Sequence, residues 1–271
     1  MSLAVPPVAD ADTAELLGLR FARLTRDQVV DRVARALERG QGGWLFTPNV
    51  DYMRRVAKEP SARALLSGAD LTVADGIPLL WAARLQGRPL PDRVAGSDLV
   101  WLLAGRAARD GRSIYLLGGD PGAAEKAARE LQKRWPGLRI AGTSSPRISS
   151  TPTVEELQGV RTALETTLPD LVYVGLGAPK EERLISNLRS DFPRTWWIGV
   201  GISLSFMSGD IRRAPSWMQR AGLEWLHRLS QEPRRLARRY LLEDLPFALR
   251  LLVWSWRNRR AGARLASRAS Q

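Results

Sequence analysis

The chain has 271 residues, 44% of them hydrophobic and 25% charged, a globular composition that excludes a disordered or collagen-like protein. It has no cysteine and a single histidine, His227, which excludes a disulfide scaffold, thiolate metal sites and metal centres built on several histidines. Lysine and arginine total 41 against 28 acidic residues, a net +13, and residues 211–271 alone carry 14 arginines and 4 acids. A basic end on a near-neutral body points to an anionic surface, either anionic lipid or nucleic acid. A solvated helix face is the plainer alternative.

Residues 1–18 read as a loose leader, with no basic start followed by an apolar run and so no secretory signal. From residue 25, Val29, Val30, Val33, Ala36 and Leu37 recur at helical spacing, and Gly40 stops the pattern. Trp44-Leu45-Phe46 reads as a buried strand that opens into Thr47-Pro48-Asn49. A helix is predicted over 51–67, then a short strand over 71–74 that ends in Asp75-Gly76-Ile77-Pro78. Residues 113–117 form a second strong strand, ending in Gly118-Gly119-Asp120-Pro121-Gly122 and followed by a helix over 123–135. Strands over 138–142, 170–174 and 195–200 follow, with helices over 154–167 and after Gly175-Leu176-Gly177-Ala178-Pro179.

Strands alternating with helices predict a mostly parallel sheet with both faces covered. In such sheets ligands bind at the carboxyl ends of strands, so the loops at 47–51, 75–78, 118–122 and 175–182 are the candidate site. After residue 203 the rhythm stops, and two or three helices rich in Arg, Trp and Leu are expected. The best apolar run, 245–256, is twelve residues with Pro246 and Arg250 inside it, too short for a spanning helix of about 20 residues.

Asp75 follows an apolar strand, where a carboxylate suits a general base. It could equally cap the helix that Pro78 opens. Thr47 and Asn49 offer a hydroxyl and an amide at another strand end, with capping again the alternative. Gly118-Gly119 and Gly175-Leu176-Gly177 let backbone amides approach a phosphate, or they simply make tight turns. Neither is a dinucleotide fingerprint or a P-loop. Asp10-Ala11-Asp12 matches a metal signature but lies in the leader, away from any strand end. His227 sits in a helical pattern and receives no role. In the tail, Trp225, Trp254 and Trp256 accompany Arg234, Arg235, Arg238 and Arg239, a pairing suited to a membrane interface.

Several segments together resemble one family. They are Thr47-Pro48-Asn49, Ala69 through Gly76, Arg93-Val94-Ala95-Gly96-Ser97-Asp98, Gly175 through Glu182, and Gly199-Val200-Gly201. Arg213-Ala214-Pro215-Ser216-Trp217, Gly222-Leu223-Glu224-Trp225 and Arg238-Arg239-Tyr240 complete the series. Their order and spacing resemble the WecG/TagA/CpsF family of bacterial glycosyltransferases. The resemblance implies an inverting, metal-independent transfer from a UDP-sugar to a polyprenyl-diphosphate-linked sugar in cell-surface polysaccharide synthesis. It implies no cofactor, and a peripheral enzyme on the cytoplasmic face of the inner membrane. The implied fold is a Rossmann-like, mostly parallel sheet over 19–203, with a helical appendage over 204–271 for membrane association and active-site closure.

By this resemblance Asp75 is the general base, and Thr47 and Asn49 line its pocket. Arg93, Gly96 and Asp98 stand beside it. Gly118, Gly119, Gly175, Gly177, Pro179, Lys180 and Glu181 bind substrate, and Arg212 and Arg213 neutralise a diphosphate. Many members carry Gln where this chain has Glu181, so a donor other than N-acetylmannosamine, such as N-acetylmannosaminuronate or glucose, is open. A homo-oligomer is open as well. The alternatives are a basic nucleic-acid-binding protein, which lacks a supporting motif, and an NAD-linked enzyme, which lacks Gly-x-Gly-x-x-Gly after the first strand.

Overall fold

The computed structural model describes residue 8 and residues 12–269, with side chains described except at 220 and 260–269. A hairpin opens it, β1 (Thr13–Leu16) against β2 (Leu19–Ala22), antiparallel through Leu17 and Gly18, both at positive φ. The loose leader expected over 1–18 is therefore an ordered strand from Thr13 onward, with Ala14, Leu16, Leu19 and Phe21 buried.

Helix α1 (Arg26–Glu38) is fixed by a capping box between Thr25 and Gln28, and its Val29, Val30 and Val33 enter the core. Strand β3 (Gly43–Phe46) follows, then α2 (Val50–Lys58) and α3 (Pro60–Leu66). The single helix predicted over 51–67 is broken at Glu59, whose extended backbone is what a following proline favours. Next come β4 (Leu71–Thr72), α4 (Ile77–Leu85), α5 (Gly96–Arg109), β5 (Ser113–Gly118), α6 (Ala123–Arg134) and β6 (Arg139–Ser144). The chain continues through α7 (Val154–Thr167), β7 (Leu171–Gly175), α8 (Lys180–Leu188) and β8 (Trp196–Gly199). The last helices are α9 (Ser203–Met207), α10 (Ser216–Arg220), α11 (Glu224–Gln231), α12 (Pro233–Ala237), a π-helical stretch at Arg238–Asp244 and α13 (Leu245–Ala269).

The six strands β3–β8 form one parallel sheet in the order β4-β3-β8-β7-β5-β6. This is the α/β architecture expected. Alternate strand residues feed two apolar layers. Leu45, Ile114, Leu116, Tyr173 and Ile198 pack with α1, α5, α6 and α9. Trp44, Phe46, Leu117, Val172, Val174 and Trp197 pack with α2, α3, α4, α7 and α8. Adjacent strands β5 and β7 thus send their following helices, α6 and α8, to opposite faces. That divergence opens a crevice at their carboxyl ends.

Leu204 and Met207 of α9 are core residues. The C-terminal helices dock on the body through α13, whose Leu251 is buried in the layer that also covers α4. Arg54 of α2 reinforces the joint, 3.1 Å from both Glu243 and Asp244. No helix among the described residues is long and apolar enough to cross a membrane.

Candidate active site

Residues 73–75 run on past β4 between two loops. The Asp75 amide donates to the Pro48 carbonyl at 3.0 Å, and the Val94 amide to the Ala74 carbonyl at 2.9 Å. Asp75 is therefore held beside Thr47-Pro48-Asn49 on one side and beside Arg93 on the other. Its alternative role as a helix cap is absent: Gly76 is the N-cap of α4 and no side chain caps it. Asn49 does cap, accepting from the Asp51 amide at 3.0 Å, so the capping alternative holds for that residue. Thr47 meets the start of α5, where a Cβ on Gly96 would lie 3.0 Å from the Thr47 Oγ1. A larger residue at 96 would have to push the Thr47 hydroxyl aside.

Around Asp75 lies a ring of alternating charge. Arg93 Nη1 is 3.4 Å from Asp75 Oδ1 and 3.6 Å from Glu224 Oε2, and Arg93 Nη2 is 3.6 Å from Asp98 Oδ2. Arg213 completes it, 2.6 Å from Asp98 and 3.1 Å from Glu224. Burial pushes the Asp75 carboxyl up to about 7; Glu224 and Asp98 add to the rise, while Arg93 and Arg213 oppose it. With its side chain 27% exposed, Asp75 keeps an opening through which a hydroxyl can reach it. A carboxylate with a pKa near neutrality is suited to taking a proton in the transition state.

A second candidate region is formed by the carboxyl ends of β5 and β7. Gly119 donates its amide to the Gly175 carbonyl at 2.8 Å. Gly118 has φ of 106°, and a Cβ there would lie 2.5 Å from the Gly175 oxygen, so only glycine allows the two strand ends to touch. Helix α6 begins just beyond, with Gly122 as N-cap and no capping side chain. Its first amides are of the kind that receive anionic groups.

Glu181 has a different place from the one the sequence suggests. It is 3% exposed and turned inward. Its Oε2 accepts from the Gly177 and Gly201 amides, both at 3.1 Å, and its Oε1 accepts from the Tyr52 hydroxyl at 3.1 Å. It ties together α2 and the loops after β7 and β8. Tyr52 also donates to Glu182, and Glu182 Oε2 has no hydrogen-bond partner among the described residues. One phenolic proton cannot serve two carboxylates at once. Burial pushes both carboxyls up, and the Glu182 charge adds to the rise at Glu181.

Pro179 and the half-exposed Lys180 stand at the start of α8. Arg212 is exposed, and its carbonyl accepts from the Gln231 amide. Arg213 is committed to Asp98, Glu224 and the Ser97 carbonyl rather than held free for a phosphate. In the tail, Trp225 packs edge-on against Tyr240, and the Arg239 guanidinium lies 4.9 Å from the same ring. Arg234, Arg235 and Arg238 are exposed, Arg235 pairing with Glu232 and Arg238 with Glu243. Trp254 and Trp256 are 36% and 44% exposed. His227 contacts only Gln231 through its ring. Asp10 and Ala11 lie outside the described residues. No group of three acidic or histidine side chains that could hold a metal ion occurs among the described residues.

Glu224 and Tyr52 escape sequence reasoning as site residues. Glu224 stands in one of the quoted segments, and its signal was a carboxylate eleven residues after Arg213. Tyr52 sits one helical turn into α2 with nothing nearby to mark it.

A family model described as glycosyl transferase WecG/TagA/CpsF family matches residues 14–261. A relative from Bacillus spizizenii is 31% identical over 202 residues, covering 74% of this chain and 76% of the relative. That protein is an N-acetylglucosaminyldiphosphoundecaprenol N-acetyl-beta-D-mannosaminyltransferase.

Proposed function

Since this chain belongs to the WecG/TagA/CpsF family of glycosyl transferases, we propose that it moves a sugar from a UDP-sugar to a sugar on a polyprenyl diphosphate, inverting the anomeric centre without a metal ion. The observation that carries the reading is Asp75, a carboxyl pushed up to about 7 at an opening on the sheet's carboxyl edge. Asp75 takes the proton of the acceptor hydroxyl as that oxygen attacks the anomeric carbon. Arg93 orients the carboxylate, and Thr47 lines the pocket. The first amides of α6, beyond its uncapped Gly122 end, receive the departing diphosphate, with the glycine turns at Gly118, Gly119, Gly175 and Gly177 leaving room for it. The three carboxylates nearest the reaction, Asp75, Asp98 and Glu224, face guanidinium groups rather than one another, which supports a site that works through cations of the chain.

The relative makes N-acetylmannosamine the first donor to try. Glu181 holds loops, so its departure from Gln bears on specificity only through those loops. The enzyme is a peripheral one on the cytoplasmic face of the inner membrane. The exposed Leu242, Leu245, Leu249 and Val253 beside the arginines of the tail support that placement.

Calorimetry with UDP, without metal and then with manganese, tests the donor half. Metal-free binding is expected. Binding that requires manganese would contradict the metal-independent reading.

A further inference from the structure

Two glutamates and a tyrosine lie together behind the site, and the transfer chemistry uses none of them. Glu181 and Glu182 stand in the first turn of α8, and Glu182 is 1% exposed. Burying two carboxyl groups costs stability that well-packed apolar side chains would not. Buried acids of this kind cluster at functional sites.

The local alternative is a helix cap. Glu181 does reach back to the Gly177 amide, four residues earlier, as an acid in a first helical turn can. A cap explains neither of its other two bonds. Its Oε2 also accepts from Gly201, twenty residues on in the loop after β8, and its Oε1 accepts from Tyr52 of α2. Packing aims the phenol: its ring stands edge-on to Phe46 of β3, with centroids 5.1 Å apart at 88°. Tyr52 thus holds Oε1 while Oε2 faces both loop amides.

The carboxyl lies directly behind the pocket wall. A Cβ on Gly199, at the end of β8, would lie 3.2 Å from Glu181 Oε1. The Gly199 carbonyl is in turn 3.6 Å from the Cβ position of Gly96, the same position that Thr47 Oγ1 meets at 3.0 Å. The sheet order gives the cluster its place along the edge. Strands β8 and β7 lie between β3, which leads to Thr47, and β5, which leads to α6; β4, which leads to Asp75, lies beyond β3. In the transfer proposed above, the acceptor hydroxyl meets Asp75 and the diphosphate leaves towards α6. The donor sugar joins those two points, so it crosses the loops that Glu181 ties together.

We propose that Tyr52 and Glu181 are positioning residues for the donor sugar, a hydrogen-bonded strut that fixes the loops after β7 and β8 beneath the sugar ring. The strut acts through the loops and touches neither substrate. The proposal rests on the transferase reading above.

Two measurements on the full chain test it together. Hydrogen exchange is followed in the peptides that carry Gly177 and Gly201. Calorimetry compares UDP with whichever UDP-sugar the wild type binds among UDP-N-acetylmannosamine, UDP-N-acetylmannosaminuronate and UDP-glucose. Glu181→Ala and Tyr52→Phe are expected to speed exchange in those peptides. Displaced loops should weaken the UDP-sugar about tenfold in Glu181→Ala and about threefold in Tyr52→Phe, and leave UDP, which has no sugar to place, unchanged. Glu181→Gln keeps an oxygen for the two amides and is expected to restore both readouts. Tyr52→Phe keeps its ring against Phe46, so it is expected to fold even where Glu181→Ala does not. A merely structural role would weaken both ligands together or neither. Wild-type exchange in the folded variants overturns the proposal. So does equal loss of UDP and the UDP-sugar, unchanged affinity for both, a Glu181→Gln protein as weak as Glu181→Ala, or a wild type that binds UDP and none of the three sugars. Failure of the wild type to bind UDP at all, with exchange still faster in the variants, would instead count against the transferase reading.

Discussion

Arg213 Nη2 stands 2.6 Å from Asp98 Oδ1, joining the segment after α9 to the first turn of α5. The same guanidinium reaches Glu224 at the start of α11. The appendage is thereby pinned to the wall of the site by a side chain that also balances the acids around Asp75. Arg213→Ala leaves Asp98 and Glu224, each less than one-fifth exposed, with the more distant Arg93 as their shared cation in place of two. The expected loss is about 2–4 kcal/mol, somewhat below the range for a fully buried pair. Urea denaturation measures it. Arg213→Lys should recover little, because one ammonium cannot span both partners.

The Asp75 carboxyl sets the pH dependence. As the base it must be ionised, so kcat/KM is expected to rise with pH through about 7 and then level off. Arg93 lowers that value, so Arg93→Gln should move the rising limb to higher pH. A pH–rate profile of both proteins checks the pair of statements. The stability sign is opposite. An acid whose folded value is raised keeps its proton where the unfolded chain has lost it, so stability falls as pH climbs from about 4 to 7.

The same sign governs the buried pair under the loops. Glu181→Gln keeps an oxygen for the Gly177 and Gly201 amides and removes the charge that burial disfavours. The variant is expected to melt higher than the wild type at pH 8, with the gap closing towards pH 4. Each unit of raised pKa corresponds to about 1.4 kcal/mol. Tyr52→Phe removes the shared donor and should destabilise by about 1–3 kcal/mol. Thermal melts at the two pH values test both variants.

The tail is best tested by charge rather than by truncation. Removing everything after residue 210 would uncover the apolar layer that Leu251 and Ala248 help to close. Arg234→Glu with Arg235→Glu changes an exposed face and leaves that layer intact. Each basic residue near an anionic surface contributes about 1 kcal/mol, so the reversal should cut vesicle binding tenfold or more. Cosedimentation with phosphatidylglycerol vesicles measures it.

Much of the fold was legible because the central strands are short and mostly apolar. Ser113–Gly118 and Leu171–Gly175 are buried at every position and bounded by glycine. The hairpin at 13–22 was not, since its turn is Leu17-Gly18 rather than an asparagine-glycine pair. Helix α4 gives no amphipathic contrast, because its open face is as apolar as its core face. Asp75 and Thr47 were readable as polar residues after strand ends, and Arg93 and Asp98 only through the family resemblance. Their partner Glu224 comes from the far side of the sequence, where only the folded chain brings it within reach of Arg93 and Arg213. Glu181 was readable as a site residue but not as one turned inward, since nothing in Pro179-Lys180-Glu181-Glu182 tells which carboxylate meets Tyr52.

The most direct measurement is sugar transfer by Asp75→Asn, followed as UDP release in the presence of a polyprenyl-diphosphate sugar, on protein shown to be folded by its thermal melt. Loss of the general base should lower turnover by about a hundredfold or more, with UDP affinity unchanged. A folded Asp75→Asn protein that turns over at the wild-type rate would contradict the assignment of Asp75 as the base.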